Sequence, residues 1–264
     1  MILLTGAGSG IGKHLAGALA QRGHRVVATD VNEQGLSELS MAYALTTYRL
    51  DVSVAEDWER VFEAAERDVG PVDVLMNIAG VLKPGYVDAF SPRDVELHLD
   101  VNVKGTILGT AAAARRMKPR GEGHIINFGS LASLAPVPGL SLYAASKFAV
   151  RGFSLAVATE LAPHNVFVTL VMPDAVQTPM LDLQAKYEEA ALTFSGPKPL
   201  TTEDIERLIL DKVLPDKPLE VAIPTFRAAL ARFACTVPQI AARLSPLLKK
   251  KGLASQARFK KERG

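Results

Sequence analysis

Tyr143 and Lys147 stand four residues apart in the run Ser141-Leu142-Tyr143-Ala144-Ala145-Ser146-Lys147. The surrounding pattern reads as helix, and residues one turn apart share a helical face. A phenol is a poor acid–base catalyst near neutral pH, because its pKa lies at about 10. An ammonium beside it favours the phenolate and lowers that value. The pair can therefore form a proton-transfer site. The same spacing also arises between ordinary surface or core neighbours, so the elements that position the pair decide its meaning.

The first of these elements is a glycine turn. Ile2-Leu3-Leu4 is a short apolar run ending in Thr5-Gly6-Ala7-Gly8-Ser9-Gly10-Ile11-Gly12. A helical pattern follows, with Ile11, Leu15, Ala18 and Leu19 on one face. Strand, glycine turn and helix N-terminus in that order make an anion site. The glycines let the backbone approach a pyrophosphate, and the free N–H groups and helix dipole hold it. A second strand, Arg25 to Asp30, ends in an acid about twenty residues past the loop, where a carboxylate would accept both adenosine ribose hydroxyls. That carboxylate would repel a 2′-phosphate. No Arg or Lys stands at Val31, and Ser9 is not basic, so NAD is favoured over NADP. A solvated strand-end Asp is the other reading of Asp30.

Further strands and helices alternate to the end of the fold. Tyr48 to Val52 ends a third strand, and 54–69 is an amphipathic helix with Trp58, Val61, Phe62 and Ala65 inward. Val72 to Asn77 is a fourth strand running into Ile78-Ala79-Gly80, small enough to let a cofactor lie close. Ser91-Pro92 reads as N-cap and first position of a long helix that carries Asn102 and runs to about Met117. Gly123 to Phe128 is a fifth strand, ending in Gly129-Ser130. The Tyr143 helix reaches about Leu161. Val166 to Met172 is a sixth strand, stopped by Pro173. The segment 174–201 is expected to be irregular, a lid beside the cofactor. A helix over 203–213 and a strand over 219–223 follow. Such alternation means a parallel sheet with helices on both faces.

Composition narrows the function classes. The chain has 264 residues, 48% hydrophobic and 22% charged, which suits one large folded domain, placed over 1–224. Net charge is +2, so no nucleic-acid partner is implied. One cysteine, Cys235, excludes an internal disulfide and a cysteine zinc cluster. The five histidines show no metal-binding spacing, so no metal is expected. No apolar run is long enough to span a bilayer. Met1 runs straight into the first strand, and a cytoplasmic setting is the expectation.

Together these residues resemble the short-chain dehydrogenase/reductase family. The resemblance covers roughly residues 1 to 180 and rests on TGAGSGIG, Asp30, Asp51-Val52, Asn77-Ile78-Ala79-Gly80, Asn102, Ser130, the Tyr143/Lys147 pair and Pro173 to Thr178. It implies a seven-stranded Rossmann sheet in the order 3-2-1-4-5-6-7, a nicotinamide cofactor, and hydride transfer between the cofactor and an alcohol or carbonyl carbon. By the same resemblance Tyr143 is the general acid/base, and Lys147 lowers its pKa and bonds the nicotinamide ribose. Ser130, thirteen residues before Tyr143, would donate to the substrate oxygen. Asn102 would hold a water that relays protons to Lys147. Ser133 is the alternative serine, but its spacing to Tyr143 is short and it reads better as a turn cap. The implied cofactor contacts are Gly6, Ser9, Gly10, Ile11, Gly12, Asp30, Asp51, Val52, Asn77, Ala79, Gly80, Tyr143, Lys147, Pro173, Val176 and Thr178. Thr178 would bond the carboxamide or cap the helix before Pro179. Family members commonly pair helices such as 92–117 and 143–161, so a homodimer or homotetramer is expected.

Two departures stand out. Ile78 replaces the second Asn of the usual NNAG, and Pro173-Asp174 replaces the usual Pro-Gly, placing a side chain near the nicotinamide site. The implied activity is that of an NAD(P)-dependent alcohol dehydrogenase or carbonyl reductase on a hydrophobic lipid-, steroid- or retinoid-like substrate. The alternatives are a reductase of small polar carbonyl compounds and a non-catalytic NAD(P)-binding regulator. The presence of Asn102, Ser130, Tyr143 and Lys147 together argues against the regulator.

The chain also continues for forty residues past Pro224. Phe226, Leu230, Phe233, Val237, Ile240, Leu244 and Leu247 fall at steps of four and three, an apolar stripe at helical spacing. Pro238 and Ser245-Pro246 are expected to divide 225–264 into two or three helices, each proline near a helix start. Arg227, Arg232, Arg243 and Lys249 to Lys251 lie off the stripe. Two readings stand: the stripe covers the domain's own core or a neighbouring subunit, or it is a peripheral membrane element with basic residues on anionic headgroups at the inner surface.

Overall fold

A computed structural model describes residues 1–196 and 198–263. Strand β1 (Ile2–Thr5) is wholly buried, with Ile2 and Leu4 packed on one side of the sheet and Leu3 on the other. Successive side chains of a strand point to opposite faces, so a run buried on both faces is continuously apolar. With β2 (Val26–Asp30), β3 (Thr46–Arg49), β4 (Val74–Asn77), β5 (Gly123–Phe128), β6 (Val166–Pro173) and β7 (Glu220–Ile223) it forms a seven-stranded sheet, ordered β3-β2-β1-β4-β5-β6-β7. Every pairing is parallel. This is the expected doubly wound Rossmann order. Leu4 pairs with Ala28 on one side and Met76 on the other, so the order turns back at β1. At such a point the loops after β1 and β4 part and leave a crevice at the strands' C-terminal ends.

Helices α1 (Gly10–Gln21), α2 (Glu33–Tyr43), α3 (Ala55–Asp68), α4 (Pro92–His98), α5 (Gly105–Arg120) and α6 (Ser141–Leu161) run between the first six strands. Helices α7 (Pro179–Ala185), α8 (Thr202–Leu208) and α9 (Leu214–Asp216) precede β7, and α10 (Thr225–Thr236) and α11 (Pro238–Arg263) follow it. On one face Leu15, Leu19, Leu36 and Ile205 pack on Leu4, Met76 and Ile126. On the other, Trp58, Phe62, Met117 and Leu161 pack on Leu3, Leu75 and Ile125. Each such large side chain contributes roughly 1.5–3 kcal/mol when fully buried. The Trp58 indole keeps its polar atom satisfied by donating to the Val52 carbonyl at 2.9 Å.

The long helix after Ser91 begins where the sequence places it. Pro92 is its first residue, and the Ser91 hydroxyl and Asp94 carboxylate cap each other's backbone N–H. It is not uniform, because residues Leu99–Lys104 widen into a π-helical turn before α5. Turns of this kind often mark functional sites. This one carries Asn102, fully buried. Beyond it α5 lies close to its neighbours: a Cβ at Gly109 would come within 2.4 Å of Trp58 and 2.6 Å of the Asn77 Oδ1.

Several expectations are corrected. The third strand stops at Arg49, because Asp51 folds into a turn in which its carboxylate accepts from the Ser53 N–H at 3.0 Å and hydroxyl at 2.6 Å. Local bonds of this kind compete with a strand ladder. Helix α2, which the sequence pattern did not announce, starts at Asn32, whose side chain accepts from the Gly35 N–H at 3.1 Å. The lid segment 174–201 is not irregular: it holds α7 and a 3₁₀ run, Glu188–Ser195. Its order is supplied by α11 from far along the chain. The Gln256 amide donates to the carbonyls of Gln184 at 3.0 Å and Tyr187 at 2.8 Å, and Phe259 lies on Phe194 with ring centroids 5.4 Å apart. Finally, Pro238 opens α11 as expected, but Pro246 lies inside it. A proline there forfeits one helical hydrogen bond. The residues downstream, anchored on the lid, continue the helix.

Candidate active site

Backbone conformation builds the mouth of the crevice. Gly6 and Gly10 have φ of +71° and +52°, a region costly for other residues. A Cβ at Gly6 would stand 2.9 Å from the Ala79 backbone, and one at Gly12 only 2.1 Å from the Gly6 carbonyl. The turn therefore lies flat against the end of β4. The Thr5 hydroxyl fixes that approach by accepting from the N–H groups of Ile78 and Ala79, each at 3.1 Å. The exposed Ser9 begins α1 without capping it through its side chain, so the first-turn N–H groups take no side-chain cap.

Asp30 is half-buried at the end of β2. One carboxylate oxygen accepts from the Gly8 N–H and the other from the Asn32 N–H, both at 2.8 Å. Each oxygen keeps a further lone pair, as recognition of a ribose diol requires. A glycine cradle, an uncapped helix start and a fixed strand-end carboxylate fit a dinucleotide. Ala79 and Thr178 border the same loop. A Cβ at Gly10 would meet Thr178 at 3.3 Å. Thr178 stands at the start of α7, yet its hydroxyl donates to the Val176 carbonyl at 3.2 Å and makes no cap.

Tyr143 and Lys147 do share the inner face of α6, and both are buried. The Lys147 ammonium donates to the Phe128 carbonyl at 2.8 Å and lies 5.6 Å from the centre of the Tyr143 ring. The Ser130 hydroxyl lies near the phenol and favours its ionised form. Its oxygen also accepts from the Ala132 N–H at 3.1 Å, and Ser133 accepts from the Ser130 N–H at 3.2 Å. Ser133 is thus the turn cap the sequence suggested, and it holds Ser130 in place.

The pKa of the phenol runs against the sequence expectation. Burial pushes Tyr143 up to about 12, and the Ser130 hydroxyl draws it only partly back. Burial likewise brings Lys147 down to about 8. Desolvation penalises the charged form of each group, so a buried phenol and a buried amine shift in opposite directions. Lys147 does not offset this at its distance from the ring.

Asn102 is spent on architecture. Its side chain donates to the Val81 carbonyl at 3.0 Å and the Ser146 hydroxyl at 2.9 Å, and accepts from the Val81 N–H at 2.8 Å. The Ser146 hydroxyl in turn donates to the Tyr143 carbonyl at 2.7 Å. Asn102 therefore ties the end of β4 to α6. Gly80 lies between it and Lys147, since a Cβ there would be 3.3 Å from Asn102 Oδ1 and 3.5 Å from Lys147 Nζ. Asn77 points away from the crevice and donates to Asn127 at 2.8 Å and Thr110 at 3.2 Å. Asp51 is held in its own turn, and buried Val52 packs where Gly105 leaves room.

One cavity of about 810 Å³ gathers the rest. It runs from Ile11 and Gly80 past Ser130, Tyr143 and Lys147, with Pro173, Val176 and Thr178 on one wall. Its outer part is lined by Leu230, Phe233, Ile240, Leu244 and Leu248 of α10 and α11. Asp174, the departure from Pro-Gly, turns its carboxylate to Arg227 of α10 at 2.6 Å, and both residues border the cavity. The pair pins the C-terminal extension to the end of β6. The odd aspartate was visible in the sequence; its partner 53 residues on was not.

The family model described as short chain dehydrogenase matches residues 1–189. A 3-alpha-(or 20-beta)-hydroxysteroid dehydrogenase of Mycobacterium tuberculosis is 35% identical over 182 residues, 68% of this chain and 70% of that one. A 3-ketoacyl-(acyl-carrier-protein) reductase from Brucella melitensis, solved with NADH, superposes with a TM-score of 0.77 at 28% identity, covering 86% of this chain and 97% of that one. A serine dehydrogenase complexed with NADP+ gives 0.78 at 30% identity, covering 86% and 96%. The chain spans 66% to 70% of the length of the first curated relatives it matches. Among the described residues no group of His, Cys, Asp and Glu could hold a metal, and no helix is long and apolar enough to cross a membrane.

Proposed function

Because this chain belongs to the short-chain dehydrogenase family, we propose that it is a nicotinamide-dependent oxidoreductase interconverting a hydrophobic secondary alcohol and its ketone. The observation that carries this reading is the convergence of Ser130, Tyr143 and Lys147 on one apolar cavity that also reaches Ile11 and Gly80 of the dinucleotide crevice. The bound nicotinamide would supply or accept the hydride at the substrate carbon. In reduction Tyr143 gives its proton to the carbonyl oxygen as the carbon gains hydride; in oxidation it takes the hydroxyl proton back. Burial holds Tyr143 as the phenol, the form that reduction needs. Ser130 donates to the same substrate oxygen and stabilises its developing negative charge. Lys147, beside Tyr143 on the inner face of α6, would hold the nicotinamide ribose. Asn102 ties α6 to the end of β4 through Ser146 and Val81, which fixes where Tyr143 and Lys147 stand.

The apolar lining favours a lipid-, steroid- or retinoid-like substrate over a small polar carbonyl compound, whose polar groups would lose water without gaining partners there. Asp30 favours NAD. We also read the protein as a cytoplasmic homodimer or homotetramer, a setting in which the exposed Cys235 thiol stays reduced. The test is Tyr143→Phe. It should leave NADH binding, read by nicotinamide fluorescence, within a few-fold of wild type and cut kcat by about 10² to 10⁴. Turnover within a few-fold of wild type would remove Tyr143 from the mechanism.

A further inference from the structure

The cations of the C-terminal extension divide by the side of the helix they occupy. Residues 225–264 hold ten Lys and Arg against the single acid Glu262, while the whole chain carries only +2. Four of the ten reach back to the body. Arg227 pairs with Asp174, Arg232 with Glu220, Lys249 with Glu188 and Arg263 with Asp182. On α11 this inward side is continued by Gly252, Gln256 and Phe259, at steps of three and four. A Cβ at Gly252 would stand 2.0 Å from the Ala191 carbonyl, so the contact with the lid is close. The other six, Arg243, Lys250, Lys251, Arg258, Lys260 and Lys261, are exposed and pair with no carboxylate among the described residues.

The apolar stripe lies with the unpaired cations. Leu244 and Leu247 fall on the side of α11 away from Gly252 and Gln256, with Lys251 and Arg258 continuing the same side. Phe226 is 72% exposed and Leu247 68%, and neither lines the cavity. Leu230, Phe233, Ile240, Leu244 and Leu248 are exposed too, and these five form the cavity's outer wall. Five residues of the stripe, Leu230, Phe233, Val237, Ile240 and Leu244, thus close the protein's own cavity, while Phe226 and Leu247 stand outside it. An apolar rim surrounded by unpaired cations, around the opening of an apolar chamber, needs an occupant that is both greasy and anionic. A second copy meeting the same face would set these cations against each other. An anionic bilayer satisfies both halves of the surface.

We propose that the outer edge of α10 and α11 is a docking surface for anionic membranes. Phe226, Leu247 and their neighbours enter the acyl boundary, and Arg243, Lys250, Lys251, Arg258 and Lys261 lie on the headgroups. The cavity opening then faces the bilayer, and an apolar alcohol or ketone reaches Tyr143 without crossing water. That last step rests on the functional reading above; the docking itself does not.

Flotation of the full-length protein with vesicles tests the surface. Vesicles of phosphatidylcholine mixed in equal parts with phosphatidylglycerol should carry the protein at low salt and release it as salt rises. Vesicles of phosphatidylcholine alone should bind at least about tenfold more weakly, since each basic residue near an anionic surface adds a several-fold factor. The double variant Phe226→Asp/Leu247→Asp should lose at least about tenfold in binding, the scale of exchanging two buried apolar side chains for charge. Its NADH affinity should be unchanged, since neither residue lines the cavity. Lys250→Gln/Lys251→Gln should weaken only the anionic binding. A wild-type protein that ignores anionic vesicles, or an apolar double variant that floats as well as wild type, overturns the proposal. So does a double variant whose sedimentation changes while its flotation does not, because the face then belongs to a second copy. Turnover of steroid, retinoid and fatty secondary alcohols solubilised without vesicles, followed by nicotinamide absorbance, reports on the active site separately. Its absence with flotation intact removes the functional reading and leaves the docking surface standing.

Discussion

Tyr143 and Lys147 are one turn apart, and their spacing alone announces a proton-transfer pair. Their ionisation is not legible at that level. Whether an ammonium lowers a phenol depends on what desolvates both, and here the lid and the C-terminal helices, far along the sequence, enclose the site. Burial decides the directions, up for Tyr143 and down for Lys147. The same limit hid the roles of Thr5 and Ser146, since a single hydroxyl in a sequence does not say which backbone group it meets. Asp30 is the opposite case. Its place at a strand end, about twenty residues past the glycine turn, is itself the signal, and its oxygens hold the turn and the strand exit together. Asp30→Asn keeps that shape and removes the charge. The ratio of kcat/KM for NAD over NADP should fall by about tenfold or more, the scale of one charged hydrogen bond lost and one phosphate repulsion removed. Steady-state kinetics with both cofactors check this, and a wild-type ratio that already favours NADP would reverse the assignment.

The regular elements follow from apolar runs and caps, which is why every strand was found within a few residues of its place. The departures have particular causes. The π turn at Leu99–Lys104 leaves no mark in hydrophobic periodicity, and α7 with its 3₁₀ successor owes its order to α11. Pro246 inside α11 shows the same precedence of packing over local preference. Strand β5 supplies an element whose stability depends on pH. His124 is buried on it, its Nε2 2.8 Å from the Thr169 hydroxyl. Burial, helped by the Lys217 charge, pushes its pKa down to about 4 from 6.5. The unfolded chain therefore binds the proton first. The stability that neutral His124 allows is whole above pH 6.5 and is lost as pH falls toward 4, by up to about 3 kcal/mol in total. Thermal unfolding of wild type and His124→Gln should diverge over this window. Between pH 6.5 and 4.5 the wild type should lose about 5 °C more than the variant. Parallel curves would mean that His124 is hydrated or already charged in the fold.

At the scale of the whole molecule, the surface carries a second apolar feature besides the C-terminal rim. Along α6 the residues Ala145, Ala149, Gly152 and Ala156 are all exposed, at steps of four, three and four. That spacing makes one continuous face. A Cβ on Gly152 would meet nothing within 4 Å. Large apolar side chains, Leu99 and Ile107, stand exposed on the neighbouring π turn and α5. Small residues let two helices approach closely, and leucine and isoleucine beside them gain burial when they do. A two-fold contact in which α5 and α6 meet their copies would hide this surface. It would also stiffen α6 from the side opposite the cavity, where Tyr143 and Lys147 are carried. Sedimentation at micromolar concentration should then give two or four times the chain mass of 28.3 kDa. Gly152→Glu, which places a charge at the centre of the contact, should shift the protein to monomer, with its circular dichroism unchanged because the position is open in the single chain. A wild-type protein that sediments as a monomer removes the assembly. If Gly152→Glu leaves an oligomer intact, the copies meet elsewhere, and the helical face is left to solvent.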